Sequence, residues 1–120
     1  VTGVQRVLFR SFGPDHPNVA ARRSNLASIL GDLGEHGEAR RQIELALESA
    51  LRQFGPDHPS VGVRRVNLAA VLDALGDYAA ALRETELALD VFRKKLPPGH
   101  PHIAKAEGWR ERILGNMSRT

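Results

Sequence analysis

The chain contains no cysteine, which excludes disulfides and thiolate chemistry and leaves its redox compartment open. Aromatic residues make up only 5% of its 120 residues, against a hydrophobic fraction of 42%. That balance suits Ala/Leu-rich packed helices better than a β-sandwich. No apolar run approaches the ~18–20 residues needed to cross a bilayer, and no signal-peptide pattern opens the sequence. The expected location is the cytoplasm. A phosphate-binding glycine loop, a nucleophile elbow and any metal or cofactor motif are also missing, so neither catalysis nor a cofactor is expected. Lysine is scarce: Lys94, Lys95 and Lys105 are the only ones, and the formal net charge of +3 is carried by arginine. A charge of that size does not by itself imply nucleic acid. The chain opens without an initiator Met, and the expectation is a piece of something longer.

What the chain does have is a period. Phe12-Gly13-Pro14-Asp15-His16-Pro17 returns as Phe54-Gly55-Pro56-Asp57-His58-Pro59 and, altered, as Leu96-Pro97-Pro98-Gly99-His100-Pro101. The spacing is 42 residues both times. Residues 12–53 laid over 54–95 are identical at about half of the positions, including Arg22-Arg23/Arg64-Arg65, Asn25-Leu26-Ala27/Asn67-Leu68-Ala69 and Leu33-Gly34/Leu75-Gly76. A fixed period of this length marks an array of one supersecondary unit, and such arrays work by presenting a surface.

Each unit reads as two helices. Asp15 and Asp57 stand where an N-cap is needed, with Pro17 and Pro59 in the first turn, where a missing N–H costs nothing. Val19, Leu26, Ala27, Leu30 and Leu33 then follow at helical spacing, matched by Val61, Leu68, Ala69, Leu72 and Leu75. Gly34 and Gly76 supply the stop. Asp77 is a good N-cap for the next helix and Glu35 a poorer one. Ala39, Ile43, Ala46, Leu47, Ala50 and Leu51 form the second stripe, matched by Ala81, Ala88, Leu89 and Phe92. Gly37 weakens the start of its helix by roughly 1 kcal/mol relative to alanine. The expected architecture is a single all-α solenoid of about six helices: residues 12–53 and 54–95 as whole repeats, 1–11 as the second helix of a truncated repeat, and 96–120 as a first helix and tail.

The residues Gly-Pro-Asp-His-Pro-x-Val, Asn-Leu-Ala, Leu75-Gly76-Asp77-Tyr78-x-x-Ala81 and Glu-Leu-Ala-Leu, in this order and spacing, resemble the tetratricopeptide repeat. The form is the 42-residue one of kinesin light chains and their bacterial relatives. The resemblance implies a right-handed α-α superhelix whose first helices line a concave groove holding an extended peptide, with no catalytic activity. Carried over position by position, the groove-facing residues are Ser24, Asn25 and Ser28, then Val66, Asn67 and Ala70, then Lys105, Trp109 and Arg112. An Asn amide both donates to and accepts from a peptide backbone. Lys105 and Arg112 suit a carboxylate, and Trp109 suits an aromatic anchor. Competing structural roles stand beside these: Asn25 and Asn67 fixing helix packing, Trp109 covering the end of the array. The chain departs from the family at Arg23 and Arg65 (usually leucine), Ser24 and Val66 (usually asparagine), His36 for tyrosine, and Trp109 for asparagine.

The remaining residues suggest roles within the fold. His16, His58 and His100 each precede a helix-opening proline and are read as packing or hydrogen-bonding in the loop, because copies on the order of 10 Å apart cannot share a metal. Glu44 and Glu86 are expected to face solvent or an arginine. Arg23 and Arg65, beside the apolar stripe, are expected to lie along it and pair with a carboxylate. The leading function is binding of a protein or peptide. The alternative is a spacer or homo-oligomerisation element, argued from Ile103, Ile113 and Leu114 being left partly uncovered at an end helix without a partner. Nucleic-acid binding through an arginine stripe ranks below both, diluted by interspersed Asp and Glu.

Overall fold

Three prolines set the frame. In the computed structural model, which describes residues 17–119, helices α1 (Pro17–Asp32), α3 (Pro59–Ala74) and α5 (Pro101–Ser118) open on prolines 42 residues apart. Between them lie α2 (His36–Phe54) and α4 (Tyr78–Lys95). Among the described residues there is no strand, as the all-α reading requires. The helix expected within 1–11, and with it Asp15 and His16, lies outside the described residues.

The turn between α1 and α2 is a Schellman closure. Gly34, at φ 81°, lets Glu35 N–H reach Leu30 O at 2.8 Å and its own N–H reach Gly31 O at 3.0 Å. Gly76, at φ 83°, repeats it with Asp77 N–H to Leu72 O and Gly76 N–H to Asp73 O. Leu33 and Leu75, placed by sequence on the apolar stripe, are instead 71% and 43% exposed. Both fall just past the last helical residue, where the chain is already swinging into the left-handed glycine and away from the buried face.

The caps are also reassigned. Asp57 is not the cap of α3; His58 is, its Nδ1 accepting from Ser60 N–H at 3.0 Å. His100 does the same for α5, accepting from His102 N–H at 3.0 Å. An imidazole Nδ1 sits at the same distance along the side chain as an aspartate Oδ1, so it can fill the same role. The His58 ring also stacks on Phe54, centroids 4.4 Å apart, tying the end of α2 to the start of α3. Asp77 caps α4 through Ala80 N–H, whereas Glu35 makes no side-chain cap, both as expected.

Consecutive helices fold back on each other, and α5 packs against α4 and also reaches α3. The thinnest dimension is 19 Å, about two helix diameters, so the described residues form two layers. Ala27, Ile43, Leu47, Leu68, Leu72 and Ile113 belong to one buried cluster, and Val66, Ala88, Leu89, Phe92, Ile103 and Ala106 to a second. Arg65 runs beside this core to Glu84 of α4, Nη1 to Oε2 at 2.8 Å, with both side chains about 15% exposed. Arg23 is buried at its equivalent position.

Ile103 and Ile113 are not uncovered: they are 9% and 0% exposed. The stripe Ile103, Ala106, Ile113 faces inward onto α3 and α4, and Glu107, Gly108, Arg110 and Glu111 of α5 are exposed. The apolar surface from which self-association was argued is therefore absent at these two residues.

Two glycines in these helices should respond oppositely to alanine. At Gly62 a Cβ would lie 2.5 Å from Phe92 Cε1, and Phe92 is 1% exposed, so the ring cannot step aside cheaply. Gly62→Ala is expected to destabilise by about 1–3 kcal/mol in chemical denaturation, despite its gain in helix propensity. Gly108, in mid-helix with nothing within 4 Å of a Cβ, should instead gain up to about 1 kcal/mol as alanine. His58→Ala should lose about 1 kcal/mol by the same measurement, through the missing cap.

Candidate partner-binding groove

Two-layer packing places α1, α3 and α5 side by side, and a hollow of about 670 Å³ runs between them. Ser24, Asn25 and Ser28 line it from α1, Asn67 and Ala70 from α3, and Trp109 and Arg112 from α5. His36 and Ile43 of α2 also line it. Seven of the nine residues selected from sequence thus meet in one place. The other two, Val66 and Lys105, border a separate hollow of about 40 Å³ with Val63, Asn67, Phe92 and His102. Asn67 lines both, so it stands at the boundary between them. Val66 is 4% exposed and belongs to the core with Phe92, which makes it a packing residue first.

Register explains the convergence. Ser24, Asn25 and Ser28 are spaced by one and three residues, and Asn67 and Ala70 occupy the matching positions of α3, so both sets point to the same side of their helices. Asn25 and Ser28 are exposed and Asn67 is half-buried. Trp109 serves two roles: it packs against both core clusters and also presents surface to the hollow.

Arg112 behaves differently from its sequence expectation. Its Nε lies 3.5 Å from Asp73 Oδ2, and its guanidinium sits 5.2 Å from the Trp109 ring centroid. Asp73 is buried, and its other oxygen accepts from Asn116 Nδ2 at 2.7 Å. The carboxylate Arg112 meets is therefore one of the chain's own, and the trio pins the C-terminal half of α5 to the end of α3. Sequence reading passed over Asp73. The available signal was an acid next to Leu72 in a copy whose counterpart position holds Gly31.

Arg64 was also passed over, grouped with Arg65 as part of a basic pair. Consecutive residues on a helix point about 100° apart, and the two arginines part accordingly. Arg65 goes to Glu84, while Arg64 lines the groove. Its Nε is buried with no hydrogen-bond acceptor, and burial pulls its pKa below the ordinary arginine value. Beside the small hollow, loss of solvent, followed by the charges of His100 and Lys105, holds His102 below the usual histidine value.

Elsewhere arginines are matched by acids: Arg40 with Glu44, Arg41 with Glu38, Arg93 with Glu107 and Arg110 with Glu86. Glu44 and Glu86 thus face arginines, as expected, and the arginine stripe considered for nucleic acid is interrupted along its length. Among the described residues no cluster of three His, Asp or Glu could hold a metal ion, and no helix is long and apolar enough to cross a membrane. The groove's amides, hydroxyls, indole and cation equip it for hydrogen bonding and stacking with a bound chain.

Removing Asp73 should loosen the groove wall. Asp73→Ala leaves Asn116 without its acceptor and Arg112 without its counterion, and is expected to cost about 1–3 kcal/mol in thermal or chemical unfolding. Most of that loss should come from the part-buried Asn116 amide bond, since Arg112 itself is 67% exposed and its charge is screened.

Comparison with known proteins agrees with this geometry. The family model for the tetratricopeptide repeat matches residues 21–94, from the first turns of α1 to the end of α4. A search of curated proteins found no match. With well over half of its length matched and its helices paired and stacked at a 42-residue spacing, the chain belongs to the tetratricopeptide repeat family.

Proposed function

We propose that this chain is a non-catalytic protein-interaction module that holds an extended peptide, or an extended loop of a partner domain, in the groove between α1, α3 and α5. Tetratricopeptide repeats generally mediate protein–protein interaction, and membership of that family sets the broad class. The observation that carries the finer reading is convergence: Ser24, Asn25, Ser28, Asn67, Ala70, Trp109 and Arg112, carried over from the family resemblance, line a single hollow. Its volume falls within the range of about 300–1,000 Å³ typical of ligand sites. The kinesin-light-chain-like form is part of the same proposal, supported by the 42-residue spacing and the His-Pro helix openings.

In this reading Asn25 and Asn67 hydrogen-bond the backbone of the bound segment, and Trp109 offers a face for an apolar or planar side chain. Arg112, held by Asp73, shapes the wall and orients Trp109. Lys105, on the far side of Asn67, meets the segment where it leaves the groove.

The test is a peptide-array screen followed by titration of the best binder. Two backbone hydrogen bonds lost at about 0.5–1.5 kcal/mol each predict a roughly 10-fold weaker dissociation constant, or worse, for Asn25→Ala/Asn67→Ala, with an unchanged helical circular-dichroism spectrum. Binding that is indifferent to this double substitution would contradict the groove assignment.

A further inference from the structure

We infer that the N-terminal half of α5 is held by an acid-sensitive latch. Neutral imidazoles at His100 and His102 let it dock on α3 and α4, and their protonation releases it.

The cap of α5 works in one protonation state only. His100 Nδ1 accepts from His102 N–H at 3.0 Å. A backbone N–H can only donate, so Nδ1 is unprotonated and the ring proton sits on Nε2. Protonation sets a second N–H against the first and puts positive charge at the positive end of the helix dipole. An aspartate or serine cap would keep its acceptor at mildly acid pH, whereas an imidazole changes charge between about pH 5 and pH 8. Acid therefore removes this cap.

The surroundings push the same way. The His100 and His102 rings meet edge to face with centroids 4.6 Å apart, so protonating both brings two charges together. His102 also leans on Phe92 of α4, at 5.4 Å, and shares the small hollow with Val63, Val66 and Asn67 of α3 and with Lys105. Among the described residues no acid lines that hollow. The last turn of α4 adds Arg93, Lys94 and Lys95, and the first acid of α5, Glu107, is engaged by Arg93 at 3.3 Å. His102 is accordingly held below the usual histidine value, by loss of solvent and then by His100 and Lys105. A histidine lowered in this way stabilises the docked helix above about pH 6.5 and loses that contribution as the pH falls. Position decides which helix responds. Among the described residues α3, also capped by a histidine, packs against α2 and α4 and touches α1 and α5, whereas α5 rests on α4 and α3 alone. The far end of α5 stays pinned through Asn116 and Asp73, so release begins at its N-terminal half. It takes Trp109 away from the hollow lined by α1 and α3.

Trp109 is the only tryptophan of the chain and packs against both core clusters, so its emission reports the docking of α5, while circular dichroism reports the whole array. Urea unfolding of the whole chain is followed by both signals at pH 7.5 and at pH 5. On going to pH 5 the Trp109 transition is expected to move ahead of the helical one, by the equivalent of about a 10-fold shift in the docking equilibrium. His100→Asn/His102→Gln keeps a side-chain acceptor at the cap and removes both titrating rings, so it should abolish that movement. His58→Asn, which makes the same exchange at the cap of α3, should leave it as in the parent. No movement of the Trp109 transition between the two pH values would overturn the latch. A movement that survives His100→Asn/His102→Gln would overturn it too, by tracing the response to carboxylates, and one abolished by His58→Asn would trace it to the other cap. None of these readouts involves a bound peptide, so each outcome leaves the groove reading untouched.

Discussion

No helix here can bury its apolar face within its own pair, and the rest of the structure follows from that constraint. Ala27 of α1, Ile43 and Leu47 of α2, Leu68 and Leu72 of α3 and Ile113 of α5 share one cluster, so a single core draws on both layers and on helices far apart in sequence. Close approach makes this possible. Gly62 lets α3 come against the Phe92 ring, and Ala39, Ala46, Ala69, Ala81 and Ala88, all buried, keep backbones near one another. The period of 42 residues is the length needed to go out along one helix, back along the next and return to a position where the same contact can be made again.

The groove is a by-product of the same packing. Stacking pairs in register brings α1, α3 and α5 to one side, where their inward faces are covered by α2 and α4 and their other faces look across at each other. Whatever residues occupy those faces become neighbours in space. That is how small polar residues on α1 and α3 come to share a hollow with Trp109. Asp73, Arg112 and Asn116 then fix the last helix against α3, so the hollow has a rigid wall at its C-terminal side.

Much of this was legible in the sequence because it rests on period and on local chemistry. The 42-residue repeat gave the helix starts at Pro17, Pro59 and Pro101, and the left-handed Gly34 and Gly76 were readable from residue type alone. Seven of the residues carried over from the family resemblance also line one hollow. What escaped depended on details below the level of pattern. Preferring Asp57 over His58 as the cap followed residue frequencies, whereas the backbone offered the cap position to the imidazole. Leu33 and Leu75 match the stripe in spacing, but lie one step beyond the helix that gives spacing its meaning. Asp73 and the divergence of Arg64 from Arg65 are pair properties: which acid an arginine reaches depends on the neighbouring helix, and no single-helix pattern holds that information. Ile103 and Ile113 were expected to be open because a helix after α5 was missing, but α5 already turns its apolar stripe toward α3 and α4.

The central claim is that partners sit among α1, α3 and α5. Its most direct test is a map of backbone amide chemical shifts with and without the best-binding peptide. The account predicts that the largest changes fall on Ser24, Asn25, Ser28, Asn67, Ala70 and the Trp109 indole, while the outer faces of α2 and α4 stay unmoved. Changes concentrated on Arg41, Glu48, Arg83 or Asp90, which face away on those two helices, would contradict it.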